Sequence, residues 1–351
     1  MTCGGKPSGI SASQRPRTLS KCETAIDPVL AREEGRMEAI DRGDGGGCKE
    51  EEWWGWLWIV FSKLDGRSLA SCCCVSRAWQ QAAGQEELWR GLCAAAWPGL
   101  ALSDCGEKAV SVAGGYRRFY GIRMSAAAQL GGGGGRSSRS NPRLRLRELV
   151  FFLDVHYRDS PVCSMARGGD TLKRMFQAAA APPELHDHLD NDDEDQGTFR
   201  FVVEIPTSTG ASDVDAHQRS TDGNVDCAVW VGNSGSNRWS KKEIRDFTIS
   251  WAVMVRGSPK VFQILRSRQP GQVVGNTCNY SERLPIHSCC CCLSETNHVA
   301  EVDLYFSADG GGLFLRELRC SILNTDCWRY FTQVQALQYL QHALLHDCQF
   351  S

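Results

Sequence analysis

The residues best suited to hold a metal ion are concentrated near position 290. His287, Cys289 and Cys291 alternate, so a strand would place them on one face, with Cys290 and Cys292 on the other. Two further candidate ligands are close in the sequence, Cys278 and His298. Zinc prefers histidine nitrogen and cysteine sulfur, but a structural site needs four ligands that converge on one ion. This arrangement favours small apolar thiols packed in a strand, and a zinc site is the weaker alternative.

Other groups that suggest chemistry do not complete a known site. Residues 190–195 (DNDDED) are acidic, yet a calcium loop that uses Gly197 as its glycine puts Val203 where a bidentate glutamate is required. His342 and His346 are one helical turn apart but lack the glutamate of the HExxH zinc motif. The sequence has no GxSxG motif and no nucleophile with a recognisable neighbouring base. We therefore predict a protein with no catalytic residues of its own, no cofactor and no metal.

A segment rich in glycine and arginine divides the chain. The five glycines at 131–135 lack the Lys-Ser/Thr pair of a phosphate-binding loop and indicate a flexible linker. Five arginines follow: Arg136, Arg139, Arg143, Arg145 and Arg147. They could contact nucleic acid or an acidic partner, but no aromatic side chains are interleaved with them, so a basic hinge is favoured and no nucleic-acid binding is predicted. Residues 101–142 thus comprise one expected helix, at 117–130, and this linker.

The composition limits the class of protein. The 351 residues suffice for about two domains, and 42% hydrophobic residues can form a core. The 39 basic and 41 acidic side chains give a net charge of −2, which excludes a polybasic protein held to nucleic acid or lipid by its overall charge. No apolar run approaches the ~18 residues needed to span a membrane, and residues 1–17 lack the apolar core expected of a secretory signal. The 18 cysteines then indicate a reducing compartment, so we expect a cytoplasmic and/or nuclear protein.

The first part of the chain is polar and gives way abruptly to helical patterning. Residues 1–51 have few apolar side chains and are predicted to be disordered, with an organelle transit peptide as the weaker alternative. Apolar residues at helical spacing follow, namely Trp54, Leu57, Trp58, Phe61 and Leu64. Shorter helices with Leu69 and Trp79, and a further helix at 85–96, complete a module over residues 52–100. So small a unit buries little surface, and we expect it to need a partner.

The remainder of the chain, residues 143–351, is patterned as strands. The runs rich in β-formers and bounded by turn residues are 149–157, 198–205, 246–255, 260–266, 298–307 and 313–323. A final helix is expected from about residue 327 or 330 to 345, capped by Asp326 or Thr325. The predicted class is α+β: a small helical module, then a mainly antiparallel sheet or sandwich with one C-terminal helix.

The helical module contains a specific series of residues. Residues 57–69 (LWIVFSKLDGRSL) combine an apolar helix, a turn and a leucine, and 75–79 (VSRAW) and 88–89 (LW) follow. This series resembles an F-box. The resemblance implies that the module docks on the Skp adaptor of an SCF ubiquitin ligase, through which cullin and RING subunits are recruited, while the rest of the chain selects the substrate. The residues implied to bind the adaptor are Trp54, Leu57, Trp58, Phe61, Leu64, Leu69, Val75 and Trp79.

A second resemblance extends beyond the module. Residues 87–93 (ELWRGLC), 96–100 (AWPGL) and 147–159 (RELVFFLDVHYRD) look like a plant family of F-box proteins with a β-rich C-terminal half. The start of the F-box departs from the family pattern. Family members usually open with a Leu-Pro pair and an acidic residue, whereas residues 52–55 of this chain read EWWG.

These observations predict a non-catalytic substrate-recognition subunit of an SCF-type ubiquitin ligase. Such a subunit acts by proximity, because it raises the concentration of its target near the ubiquitin-loaded enzyme. The alternative is a β-sandwich scaffold, or a binder of a glycan or other ligand, whose degenerate F-box no longer engages the ligase. The departure at 52–55 favours this alternative, and its ligand would be sought first at Trp230, Trp239 and Trp251.

Overall fold

The structure is a computed structural model that describes residues 49–128, 144–172, 197–205, 229–232, 238–285, 297–309 and 311–345. Several sequence predictions therefore lie outside the described residues: the disordered segment up to residue 48, the glycines at 131–135, the acidic run at 190–195, the cysteine cluster at 289–292, and His287 and His346. Within the described residues, no helix is long and apolar enough to cross a membrane.

Helices occupy the chain before the first strand. Those described are α1 Lys49–Phe61, α2 Gly66–Cys72, α3 Arg77–Ala83, α4 Glu86–Ala96, α5 Asp104–Ala113 and α6 Tyr116–Ala128. Side-chain caps set the starts of α2 and α3, because Asp65 accepts the Ser68 N–H at 2.7 Å and Ser76 accepts the Trp79 N–H at 3.2 Å. Helix α5, which the sequence analysis did not predict, ends at Gly114 with a left-handed φ of +83°.

The β-rich part forms two antiparallel sheets. Its described strands are β1 Leu149–Tyr157, β2 Ser160–Gly168, β3 Arg200–Glu204, β4 Trp230–Val231, β5 Phe247–Val255, β6 Val261–Arg266, β7 Gln272–Val274, β8 Thr277–Arg283, β9 His298–Asp309, β10 Gly312–Asn324 and β11 Arg329–Tyr330. The first sheet has the order β4-β2-β1-β5-β6. The second has the order β11-β10-β9-β8-β7, with β3 also paired to β10. The α+β class with a mainly antiparallel β region is confirmed.

The main core lies between the two sheets. Alternate residues of β1, among them Phe151 and Leu153, are fully buried there together with Val302 of β9. The indole of Trp251 on β5 stacks on Phe199 at a centroid distance of 6.4 Å. These contacts explain why the apolar residues of the strands alternate, since one face of each sheet points into this core.

The C-terminal helix, α7 Gln333–Leu345, packs on the same core through Ala336, Tyr339 and Leu340. Its predicted cap was wrong. The helix is capped by Thr332, whose hydroxyl accepts the Gln335 N–H at 3.2 Å while the Gln335 side chain accepts the Thr332 N–H at 2.9 Å. The predicted caps, Asp326 and Thr325, lie instead in the loop between β10 and β11 and bond to Asn297.

Helices cover the other face of the first sheet. Val150 and Phe152 of β1 are buried against Trp97 and Phe119, and Phe119 and Phe152 meet edge to face at 5.8 Å. Strand β1 is thus buried on both faces, which accounts for its nearly continuous apolar sequence. Gly99 allows the turn after α4 to lie directly against β2, because a Cβ at that position would overlap the backbone of β2.

Candidate adaptor-docking surface

Helix α1 is apolar on two opposite sides. Leu57 and Phe61 point inward and are 8% and 1% exposed. Trp56, Ile59 and Val60 share the opposite side, which we call the outer face of α1, and are 68%, 53% and 54% exposed. A helix that is apolar all round is normally buried all round. The outer face is therefore an exposed apolar patch, a kind of surface that marks many protein–protein interaction sites.

The inner side of α1 rests on a small core built by α2, α3 and α4. Leu69 of α2 and Leu88 of α4 are buried beside Phe61, and Trp79 of α3 meets the Phe61 ring edge to face at 5.3 Å. Trp89 of α4 is also buried, and its indole N–H donates to the carbonyl of Ala83 at 2.8 Å. This core orients α1, so the outer face is presented on a packed support.

Contacts between α4 and α6 also stabilise the core on which α1 packs. Glu86 at the start of α4 accepts the Tyr116 N–H at 2.7 Å, and the rings of Trp89 and Tyr120 are 5.6 Å apart. Gly66 opens α2 directly against Tyr120, and a Cβ there would overlap the phenol ring. The small residue is therefore required by a close approach rather than by a turn.

The residues predicted from the sequence to contact the adaptor fall into different environments. Trp58 and Val75 are 42% and 62% exposed and are available to a partner. Leu64 and Trp79 are half-buried against the module core, and Trp54 falls outside the described side chains. Three others, Leu57, Phe61 and Leu69, lie inside the module core. In this conformation these three side chains pack inside the module and are not exposed. Their contact with an adaptor stays a prediction.

The sequence analysis missed three residues, Trp56, Ile59 and Val60. It assigned a single apolar stripe to α1 and gave no role to the residues between. The signal that reveals them is the unbroken run of six apolar residues at 56–61, because successive residues of a helix point about 100° apart and such a run covers every side.

Two titratable groups of the module have shifted pKa values with structural causes. The bond from the Ser68 N–H lowers the pKa of Asp65, which keeps the α2 cap charged. Burial raises the pKa of the Cys93 thiol to about 12, so this sulfur is a protonated core group and a poor nucleophile. In the described part of the chain, no cluster of three or more His, Cys, Asp or Glu residues is placed to hold a metal ion.

Comparison with known proteins decides what this module is. The F-box-like family matches residues 57–95, the stretch that runs from the C-terminal part of α1 into α4. Residues 57–95 are similar to an F-box. The outer face of α1 and Val75 therefore belong to the F-box or border it directly, and no solved structure matches the chain.

Curated relatives are plant F-box proteins. F-box protein GID2 of Oryza sativa subsp. japonica is 35% identical over 122 residues, which is 32% of this chain and 58% of the relative. A probable F-box protein of Arabidopsis thaliana is 24% identical over 175 residues, which is 45% of this chain and 50% of the relative. The chain thus spans about half the length of the relatives it matches. The resemblance to plant F-box proteins inferred from the sequence is confirmed.

The tryptophans proposed for the alternative, ligand-binding function differ in their exposure to solvent. Trp251 is fully buried between the sheets and is not available to a ligand. Trp239 is 8% exposed and borders a shallow, open groove of about 460 Å³ whose wall includes Lys241 and Leu313. The side chain of Trp230 falls outside the described residues. A ligand-binding function stays a prediction that depends on this groove.

Proposed function

We propose that this chain is an F-box protein and the non-catalytic substrate-recognition subunit of an SCF-type ubiquitin ligase, acting in the cytoplasm and/or nucleus. The observation that carries the proposal is the exposed outer face of α1, in which Ile59 and Val60 lie within the F-box match and Trp56 directly precedes it. The face docks on a Skp-type adaptor, and cullin and RING subunits join through that adaptor. The β-rich domain holds the protein substrate.

The mechanism requires no reactive side chain in this chain. A substrate bound to the sandwich is confined near the ubiquitin-loaded enzyme, so ubiquitin transfer becomes effectively intramolecular. The buried thiols fit this description, because burial raises the pKa of both Cys93 and Cys163 to about 12 and leaves neither as a nucleophile.

Reconstitution tests this function without knowledge of the substrate. The purified full chain is mixed with a Skp-type adaptor, a cullin and a RING subunit and analysed by gel filtration. Ubiquitin, its activating enzyme and a conjugating enzyme are then added. We expect one co-eluting complex and adaptor-dependent ubiquitination of the chain's own lysines. If the folded chain elutes separately from the adaptor, the proposal is contradicted. The ligand-binding alternative then remains, and a glycan array with the same protein tests it.

A further inference from the structure

The loop between β10 and β11, residues 325–328, presents a tryptophan to solvent. Trp328 is 76% exposed, and its backbone φ is +54°. A left-handed conformation is a genuine outlier for a bulky side chain, and backbone strain of this kind concentrates at functional sites. Both the exposure and the strained backbone cost free energy, so the position of this side chain calls for a function.

Hydrogen bonds from Asn297 hold the loop in shape. The Asn297 carbonyl accepts the Thr325 N–H at 2.9 Å and the Thr325 hydroxyl at 3.0 Å. The Asn297 N–H and side-chain amide donate to the two Asp326 carboxylate oxygens at 3.0 and 3.1 Å. Because these bonds order the loop before any partner arrives, binding through Trp328 avoids much of the entropic cost of ordering it.

The adjoining end of the second sheet offers further apolar surface. The strand register aligns Val299 of β9, Leu323 of β10 and Tyr330 of β11 in one row. Their neighbours Ala300 and Ile322 point into the core, so this row lies on the outer face of the sheet. Tyr330 is 40% exposed and Val299 is half-buried, whereas Leu323 between them is buried, so Val299 and Tyr330 supply the surface. We call Val299, Trp328 and Tyr330, with the arginines at their border, the hairpin patch.

Those arginines are Arg200, Arg283 and Arg329. The Arg200 guanidinium lies 5.2 Å from the Tyr330 ring centroid, and Arg283 is the register partner of Val299. Among the described residues, none of the three has a carboxylate within ion-pair distance. Two acidic groups also face this region. Asp326 accepts hydrogen bonds from Asn297 and also interacts electrostatically with Arg283. Glu301, whose pKa is raised by burial and then by Asp303, interacts electrostatically with Arg200.

We propose that the hairpin patch is the docking site for a substrate segment that carries an apolar side chain flanked by carboxylates. The proposal rests on the proposed function, since it names the surface with which a substrate receptor would hold its target. Tryptophan, tyrosine and arginine are the residues most enriched among interface hot spots. Guanidinium groups without an ion-pair partner complement carboxylates, which they bind through charge-assisted hydrogen bonds.

Peptide selection tests this assignment. A random dodecapeptide phage library is panned on the purified full chain, and the enriched consensus is synthesised with a fluorescent label for polarisation measurements. We expect a consensus that joins Asp or Glu to a large apolar residue. Trp328→Ala should weaken its binding about 30-fold, and Arg329→Ala several-fold with less dependence on salt. Both variants should keep the unfolding midpoint of the parent chain.

Two controls separate this proposal from the proposed function. Val274 is also 76% exposed, at the β7 end of the sheet, so Val274→Ala should leave peptide affinity unchanged. Ile59→Asp should abolish adaptor binding but leave the affinity for the peptide unchanged. If the parent chain binds the peptide but not the adaptor, the proposed function fails and the patch stands. The patch is refuted if no sequence is enriched, if the consensus lacks acidic residues, if Trp328→Ala binds normally, or if that variant is destabilised.

Discussion

Arg123 of α6 and Asp154 of β1 form an ion pair buried between the helices and the first sheet. Their side chains are 3% and 1% exposed, and Nη2 and Oδ2 are 2.9 Å apart. The Ser164 hydroxyl donates to the other Asp154 oxygen at 2.6 Å and itself accepts the Gly99 N–H at 2.9 Å. The guanidinium also lies 4.3 Å from the centroid of the Trp97 ring. This network joins α6 and the turn after α4 to two strands, so the helical layer is anchored to the sheet by directional bonds.

Removal of one member of this pair should be strongly destabilising. Asp154→Ala leaves the Arg123 charge buried without its partner, and breaking such a pair costs about 3–5 kcal/mol. We expect a loss of that size in the free energy of unfolding measured with urea. The double variant Arg123→Met with Asp154→Leu should recover most of it, because apolar groups of similar volume replace a buried pair at little cost. Strictly additive losses in the double variant would refute the coupling.

Two glycines of the helical module should respond to alanine in opposite directions. Gly66→Ala forces a Cβ into the Tyr120 ring, and such overpacking should reduce the free energy of unfolding by about 1–3 kcal/mol. Gly55 is exposed in α1, and a Cβ at this position would meet no atom within 4 Å, so Gly55→Ala should gain about 0.5–1 kcal/mol of helix stability. Urea unfolding of the two variants provides the comparison. Equal effects would contradict the packing described for α2.

The buried His298 should make stability depend on pH. Burial lowers the pKa of its imidazole below the ordinary 6.5, an effect that the nearby Asp326 carboxylate partly opposes. The unfolded chain therefore binds a proton at a higher pH than the folded chain, and the free energy of unfolding should fall as pH drops below about 6.5. His298→Leu should flatten this dependence between pH 7 and 5 in urea titrations. Identical slopes for the two proteins would exclude His298 as the cause.

Strands were predictable from the sequence where local pattern and burial agree. The prediction for 149–157 coincides with β1, because a strand buried on both faces is an unbroken apolar run. Strand β2, Ser160–Gly168, was missed. It contains Pro161, Ser164 and Arg167, and it is a strand because it pairs along nearly its whole length with β1. Local propensity cannot show that pairing, since tertiary context decides it.

The docking surface was predictable in location but not in orientation. The sequence identified α1 and the F-box, which the family match confirms. It chose Leu57 and Phe61 as contact residues because apolar spacing does not tell which side of a helix meets its own core. In the structure, Leu69 and Leu88 pack against the inner side of α1 together with Leu57 and Phe61. The side chains that remain exposed on α1 include Trp56, Ile59 and Val60.

The affinity of a Skp-type adaptor for two matched variants tests the central claim most directly. Ile59→Asp places a charge on the outer face of α1 without touching the core, whereas Phe61→Leu alters the buried side. By titration calorimetry on the folded full chain, we predict a Kd at least about 100-fold weaker for Ile59→Asp and little changed for Phe61→Leu, which should instead be less stable. An unchanged Kd for Ile59→Asp would contradict the assignment of this face as the docking surface.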